Sequence, residues 1–241
     1  MIIERKNKKI YRDGDRLVKL FIEGYSKTGV FNEVLNQARV EETGLNIPKV
    51  LEVRLLDGRW AITMEFIEGQ TLEKLMELYP EKEKEYLRLF IEIQQEIHAK
   101  RSPLLTKFKD KMTAKIMQCD LDASTRYDLS IRLNAMPMHN HLCHGDFNPS
   151  NVIITDSGEH YIIDWSHASQ GNATADAAKT ALIFRMEGKE SLAEKYVDAY
   201  CEMTGTPKRY VDDWTPIVAA AQLVKVSPEM KIKLMKYVLG E

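Results

Sequence analysis

The sequence predicts an α+β protein: a small antiparallel β-sheet carrying one helix, followed by a mostly helical remainder. Three observations lead there. Residues 1–23 and 45–67 are strand-like runs broken at Asp13-Gly14 and Asp57-Gly58, and such dipeptides between strand-like runs signal hairpins. Residues 28–43 place Val30, Phe31, Val34, Leu35 and Ala38 at helical spacing, with Gly44 as a stop. From Thr71 onward the pattern is helical, apart from one short apolar hairpin.

Composition narrows the function. The chain has 241 residues, 44% hydrophobic and 29% charged, with a formal charge of −2. That suits one large domain or two small lobes. Near-neutral charge argues against nucleic-acid binding, which favours a strongly basic surface. Met1 to Lys9 hold no apolar stretch of signal-peptide length, and no later run is long enough to span a membrane. Cys119, Cys143 and Cys201 are odd in number and widely spaced. They suggest reduced thiols, and the expected location is the cytoplasm.

Each element has a local cause. Lys9-Ile10-Tyr11-Arg12 and Arg16-Leu17-Val18-Lys19-Leu20-Phe21 form the first hairpin, with Lys19 between apolar neighbours. Ile47 to Val53 leads into a strand, and Trp60 to Ile67 follows the Asp57-Gly58 turn. Thr71 is a suitable N-cap for a short helix ending near Tyr79. Pro80 suits the first position of the next helix. That helix carries Tyr86, Phe90, Ile93 and Ile97 on one face, with Glu81, Glu83 and Glu85 complementing its dipole. His98, near its end, reads as structural. Helices are expected over 104–118, 122–135, 174–186 (capped by Thr174), 189–203, 208–225 and 228–239, with 166–172 as loop.

The chemistry concentrates between residues 144 and 165. The stretch His144-Gly145-Asp146-Phe147-Asn148-Pro149-Ser150-Asn151 precedes two apolar arms, Val152-Ile153-Ile154 and Tyr161-Ile162-Ile163, separated by Asp156-Ser157-Gly158. A hairpin would bring Asn151 and Asp164, which flank the arms, together. Two oxygen ligands on a rigid hairpin suit a hard cation such as Mg²⁺. His139, His141, Cys143 and His144 tempt a zinc reading, but closely alternating ligands rarely wrap one tetrahedral ion, and no second cluster follows.

This segment resembles the catalytic region of protein-kinase-like phosphotransferases, with HGDFNPSN in place of H-R-D-x-x-x-x-N and Asp164-Trp165-Ser166 in place of D-F-G. Gly145 after the histidine and Trp165 after the second aspartate are similar to the aminoglycoside phosphotransferase and choline kinase family. The resemblance implies a bilobal protein-kinase-like fold, with a nucleotide-binding lobe over residues 1–68 and a helical acceptor lobe over 69–241. It implies ATP and Mg²⁺ as cofactors and a small-molecule hydroxyl as acceptor. Asp146 would be the catalytic base. Asn151 and Asp164 would hold the metal. Lys19, paired with Glu33, would hold the phosphates. Met64 would line the adenine pocket, and the backbone of Glu65 and Ile67 would bond the base. The side chains of 146, 151 and 164 should then face Lys19 across a cleft. Asp176 would anchor the loop, and His144 would brace its backbone.

One departure stands out. The position of the phosphate-covering loop is held by Arg5-Lys6-Asn7-Lys8-Lys9, without glycine. That weakens a backbone cradle and leaves mobile lysines to supply charge. Two other readings are a protein serine/threonine kinase and a non-catalytic nucleotide-binding module. No A-P-E segment follows Asp164, and retention of Lys19, Asp146, Asn151 and Asp164 argues for catalysis. Toward the C-terminus Asp212, Asp213 and Glu229 are outnumbered by Lys208, Arg209, Lys225, Lys231, Lys233 and Lys236, which gives no support to a polycationic drug as acceptor. Oligomeric state leaves no trace in the sequence.

Overall fold

The computed structural model describes residues 2–224 and 226–240. Lys225, counted among the basic residues of the tail and the last residue of the expected 208–225 helix, therefore lies outside the described residues. The chain divides into two compact units, Met1–Pro80 with Pro149–Ala168 and Glu81–Asn148 with Ser169–Glu241. The division differs from a single boundary after residue 68: residues 69–80 and the hairpin segment group with the N-terminal strands.

In the first unit, β1 (Ile2–Arg5), β2 (Lys8–Asp13), β3 (Arg16–Phe21), helix α1 (Lys27–Glu41), β4 (Val50–Leu56) and β5 (Arg59–Glu65) follow in order. The strands form an antiparallel sheet ordered β1-β2-β3-β5-β4. Asp13 pairs with Arg16 around a turn in which Gly14 takes φ 63°. Asp57 (φ 49°) and Gly58 (φ 77°) close the other hairpin, in the left-handed conformation that matches strand twist. Ser26 caps α1, accepting from the Gly29 amide at 3.3 Å. Phe21, Val30, Ile62 and Met64 form the core beneath the helix, and Val18, Leu20 and Ala61 form that of the other face.

The expected inward stripe of α1 is only partly right. Val30 is buried, but Phe31 and Leu35 are 46% and 45% exposed. The helix turns Gln37 and Val40 inward instead, and Gln37 donates to the Pro48 carbonyl at 2.6 Å. Phe31 meets Trp60 edge-on near the surface. The chain continues through β6 (Gln70–Thr71) into α2 (Leu72–Leu78). Thr71 caps α2 as expected, accepting from the Lys74 amide at 3.2 Å.

Pro80 opens a single 3-10 turn, after which α3 (Glu83–Ala99), α4 (Phe108–Gln118), α5 (Ala123–Ala135) and the short strand β7 (His141–Cys143) belong to the second unit. The hairpin of β8 (Val152–Ile154) and β9 (His160–Ile162) returns to the first unit, where β6 pairs with β8. Its second arm begins one residue earlier than expected. The remainder of the second unit is β10 (Ser169–Gly171), α6 (Ala173–Met186), α7 (Glu190–Thr204), α8 (Lys208–Gln222) and α9 (Pro228–Leu239). Residues 169–171, expected as loop, pair with β7. The cap of α6 is Asn172 rather than Thr174: its side-chain oxygen accepts from the Thr174 amide at 2.9 Å. Phe90 stacks on Phe147 with ring centroids 4.3 Å apart, which ties the loop after β7 to the helical core.

Candidate active site

The first unit builds an ionic cluster on its sheet. Lys19 points from β3 to the Glu33 carboxylate on α1, with Nζ to Oε1 at 2.7 Å. The Asp164 Oδ1 lies 3.9 Å from the same ammonium. Lys19 is therefore buried, although a lone strand lysine ordinarily faces water. Burial alone would lower the Lys19 pKa, but the Glu33 and Asp164 charges outweigh it and hold it above the ordinary value. Burial likewise pushes Glu33 up, and Lys19 and Lys8 overcome this to hold it below the usual carboxylate range.

Sequence reasoning missed Lys8. The phosphate-loop position is a tight turn at Lys6-Asn7, and Lys8 reaches the Glu33 oxygens at 3.2 and 3.3 Å. It is fixed by a bidentate contact rather than mobile. The signal was available: counting from the Asp13–Arg16 closing pair, Lys19 faces Ile10 and Phe21 faces Lys8. Lys8 and Lys19 thus share one face of the sheet, as diagonal neighbours.

The hairpin brings its flanks together. The Ile163 amide donates to the Asn151 carbonyl at 2.9 Å, continuing the β8–β9 ladder to the residue beside Asp164. Asp164 has left-handed backbone angles, φ 63° and ψ 62°, a region that aspartate tolerates better than most residues. Ser166 donates to the Asp164 carboxylate at 3.0 Å, and Asn36 on α1 donates to the Ser166 carbonyl at 3.0 Å. Helix α1 thus fixes both Lys19, through Glu33, and the segment after Asp164, through Asn36. Asn151 is buried and the Asp164 side chain is 35% exposed. A carboxylate and a carboxamide at one hairpin end are a donor set that fits Mg²⁺, which completes its shell with water and phosphate oxygens.

Met64 is buried within the sheet. The Glu65 amide donates to the Lys49 carbonyl and the Phe66 amide to the Asp15 carbonyl. Among the described residues the Ile67 amide makes no hydrogen bond. A cavity of about 410 Å³ is lined by Phe66, Ile67, Glu68 and the hairpin turn. It takes in Ile67 but none of Lys19, Glu33, Asn151 or Asp164.

In the second unit, β7 runs into His144–Asn148, and helix α6 pins this loop along one face. Asp176 accepts from the backbone amides of His144 at 3.0 Å and Gly145 at 2.8 Å. Lys179 donates to the Gly145 carbonyl, and Thr180 to the Phe147 carbonyl at 2.9 Å. Positions 176, 179 and 180 lie on one side of a helix, so one α6 face sets the backbone on both sides of Asp146. Gly145 supplies the left-handed φ of 78° that the bend requires. The Asp146 amide donates to His144 Nδ1 at 3.2 Å, so His144 braces the loop. Behind α6, His98 Nε2 contacts Asp176 at 3.1 Å. Burial would raise the Asp176 pKa, but His98, His144 and the Gly145 amide outweigh it and hold the carboxyl below its ordinary value.

Lys179 and Thr180 also escaped sequence reasoning, although their spacing from Asp176 marks them. His141 bonds the His98 carbonyl at 2.7 Å, and the buried Cys143 lies against the Asn172 carbonyl. Among the described residues no group of three metal-ligating side chains assembles.

The sheet with its buried lysine–glutamate pair, and the helix-braced HGDFNPSN loop, define a kinase-like phosphotransferase. Residues 6–211 match the model of the phosphotransferase enzyme family, and the chain belongs to that family. No curated protein matches the chain. Among solved structures, a ternary complex of a thermostable aminoglycoside phosphotransferase APH(4)-Ia mutant with AMP-PNP and hygromycin B is 17% identical, with a TM-score of 0.71 over 100% of this chain and 90% of that one. The choline kinase LicA from Streptococcus pneumoniae is 16% identical, with a TM-score of 0.63 over 99% and 93%. A choline/ethanolamine kinase family protein from Mesorhizobium loti is 17% identical, with a TM-score of 0.60 over 100% and 92%. These likenesses concern the fold.

Proposed function

We propose that the chain transfers the γ-phosphoryl group of ATP to a hydroxyl of a small molecule. The observation that carries this reading is the Lys19–Glu33 pair at 2.7 Å with Asp164 at 3.9 Å from the same ammonium. Such a set, a fixed cation beside a carboxylate that binds metal, is what phosphoryl transfer requires of a protein. A solved fold neighbour holding AMP-PNP and hygromycin B agrees with a nucleotide and a small-molecule acceptor.

Lys19 and Lys8 hold the phosphates and Glu33 orients both lysines. Asn151 and Asp164 hold Mg²⁺, which when bound neutralises charge on the phosphates. Met64 and the backbone of Glu65 and Ile67 receive the adenine. The Glu65 amide is already engaged, so its carbonyl and the Ile67 amide make the contact. Asp146 orients the acceptor hydroxyl and takes its proton. The acceptor oxygen bonds to the γ-phosphorus, the bond to the bridging oxygen breaks, and ADP leaves. The N-terminal unit carries the nucleotide and the helical unit the acceptor.

Eight residues lie between Asp164 and the first residue of α6, Ala173. That leaves no room for the long activation segment of a protein kinase. The cytoplasm is the proposed location: the three cysteines are unpaired, and no described helix is long and apolar enough to cross a membrane. The Asp146→Asn variant tests the assignment. Turnover should fall by about 10²- to 10⁴-fold, while ATP still raises the melting temperature in the presence of Mg²⁺. Undiminished ADP release would remove Asp146 from its role.

A further inference from the structure

Three lysines of the helical unit lie within electrostatic reach of one another, and two of them, Lys115 and Lys179, also of Asp146. Lys111 and Lys115 are one turn apart on α4, so both project from one face. Phe108, Met112 and Ile116 bury the adjoining face. Cys119, just past the end of α4, donates to the Ala220 carbonyl on α8 at 3.0 Å. At the start of α4, a Cβ on Gly171 would come within 2.4 Å of Phe108 Cβ, so the helix packs directly on β10, the partner of β7. Since β7 feeds the loop, α4 has little freedom to move from it. The third lysine, Lys179, places its ammonium on the Gly145 carbonyl, beside Asp146.

The three ammonium groups sense one another. Lys111 and Lys115 are half-buried, and both titrate at about 8. Desolvation is the main cause, followed by repulsion from Lys115 and Lys179 on Lys111 and from Lys179 on Lys115. Asp146 pulls the other way on Lys115 and Lys179. Among the described residues the Lys115 ammonium has no hydrogen bond or ion pair. Gathering like charges in a half-buried place costs folding energy. A half-buried ammonium that costs stability and has no internal partner, as Lys115 is, is a candidate for a functional site.

Four acids of the helical unit already have partners. Asp198 pairs with Lys208, Asp120 with Lys231 and Glu229 with Lys233, all on the surface. Asp176 is spent on His98 and two backbone amides.

We propose that Lys115, with Lys111 and Lys179 around it, binds an anionic group of the acceptor, so that the substrate is a hydroxy compound bearing a carboxylate or phosphate rather than an amino alcohol or aminoglycoside. This rests on the phosphotransferase reading for the presence of an acceptor, and it names the acceptor's charge.

The test is a coupled ADP-release assay over acceptors of matched size: glycerate and glycerol phosphate, glycerol, and ethanolamine and choline. The anionic compounds should exceed glycerol in kcat/KM. Lys115→Gln should raise their KM by about 10- to 100-fold, the usual worth of a charge-assisted hydrogen bond. Lys115→Arg should restore most of it. Preference for the cationic compounds, or an anionic preference untouched by Lys115→Gln, overturns the inference and leaves the phosphotransferase assignment standing.

Should no compound release ADP, inorganic phosphate titrated into the protein by calorimetry decides the matter separately. Binding that survives Lys19→Ala and is lost in Lys115→Gln upholds the anion site without any turnover. Absence of binding, or binding lost only in Lys19→Ala, refutes it.

Discussion

Lys8 and Lys19 donate to the same carboxylate, that of Glu33, at 3.2 and 2.7 Å. One acid holding two cations is a stronger device than one pair, because each lysine loses little further rotamer freedom when a phosphate arrives. Under the proposed function, charge fixed in place would substitute for the backbone amides of a glycine-rich loop. Lys8→Gln should therefore raise the KM for ATP by about tenfold, the size of one charge-assisted contact. Glu33→Gln frees both lysines and should lower kcat/KM by about 100-fold, as misplacement of positioning groups does. Steady-state kinetics with varied ATP checks both. Equal effects from the two substitutions would mean that Glu33 serves Lys8 alone.

Asp176 should dominate the stability of the helical unit. Its carboxylate serves His98 and the amides of His144 and Gly145. Asp176→Ala leaves those donors buried without a partner, a loss of about 3–5 kcal/mol. A chain of this size loses about 2–4 °C of Tm per kcal/mol, which calorimetry resolves easily.

The same carboxyl gives a pH dependence of known sign. Its folded pKa is depressed, so between the folded and unfolded values the unfolded chain binds more protons. Its contribution is full above the ordinary carboxylate value of 3.8 and is lost as pH falls through the lower folded value. Asp176→Asn should flatten the acid limb of the Tm profile below about pH 4. An unchanged acid limb would place the acid-sensitive group elsewhere.

Metal dependence should track Asp164 more than Asn151, because a carboxylate binds Mg²⁺ more strongly than a carboxamide. Chelation by EDTA should stop ADP release. Asp164→Asn should raise the Mg²⁺ concentration for half activity by at least about tenfold, and Asn151→Ala by less. A titration of ADP release against Mg²⁺ gives both values. Lys19 adds a second effect to Asp164→Asn: it loses one of the two carboxylates that keep its pKa raised.

The hairpin that joins Asn151 to the residue beside Asp164 was legible because it is local. The spacing of Asp146, Asn151 and Asp164 around an apolar hairpin is a property of one short stretch, and so is the Thr71 cap. The Lys19–Glu33 pair needed only a strand and the helix after it. What escaped depends on register or on distant packing. Lys8 required counting back through a hairpin, and Lys179 and Thr180 required knowing that α6 faces the loop. Nothing in the sequence near Lys111 and Lys115 points to residue 146, since contacts over that separation follow from the packing of α4 on β10. Phe31 and Leu35 misled because an amphipathic stripe does not say how far the sheet extends beneath it. The strand at 169–171 was missed because a three-residue run carries too little periodicity to register.

The lysine cluster should make acceptor preference depend on pH. Lys115 titrates at about 8, with burial and Lys179 lowering it and Cys119 and Asp146 opposing. Lys111, on the same helix, also titrates at about 8. A lysine is charged below its pKa, so capture of an anion is strongest at neutral pH and fades as pH rises through that value. The quantity to follow is the ratio of kcat/KM for glycerate to that for glycerol, measured from about pH 6.5 to 9.5, where both acceptors keep a constant charge. Taking the ratio cancels titration of the nucleotide, which acts on both acceptors alike. It should fall as pH passes 8. In Lys115→Arg the guanidinium stays charged throughout, so the fall should shrink to the part that Lys111 supplies. A ratio that holds level across the range in the unmodified protein would show that neither lysine meets the acceptor.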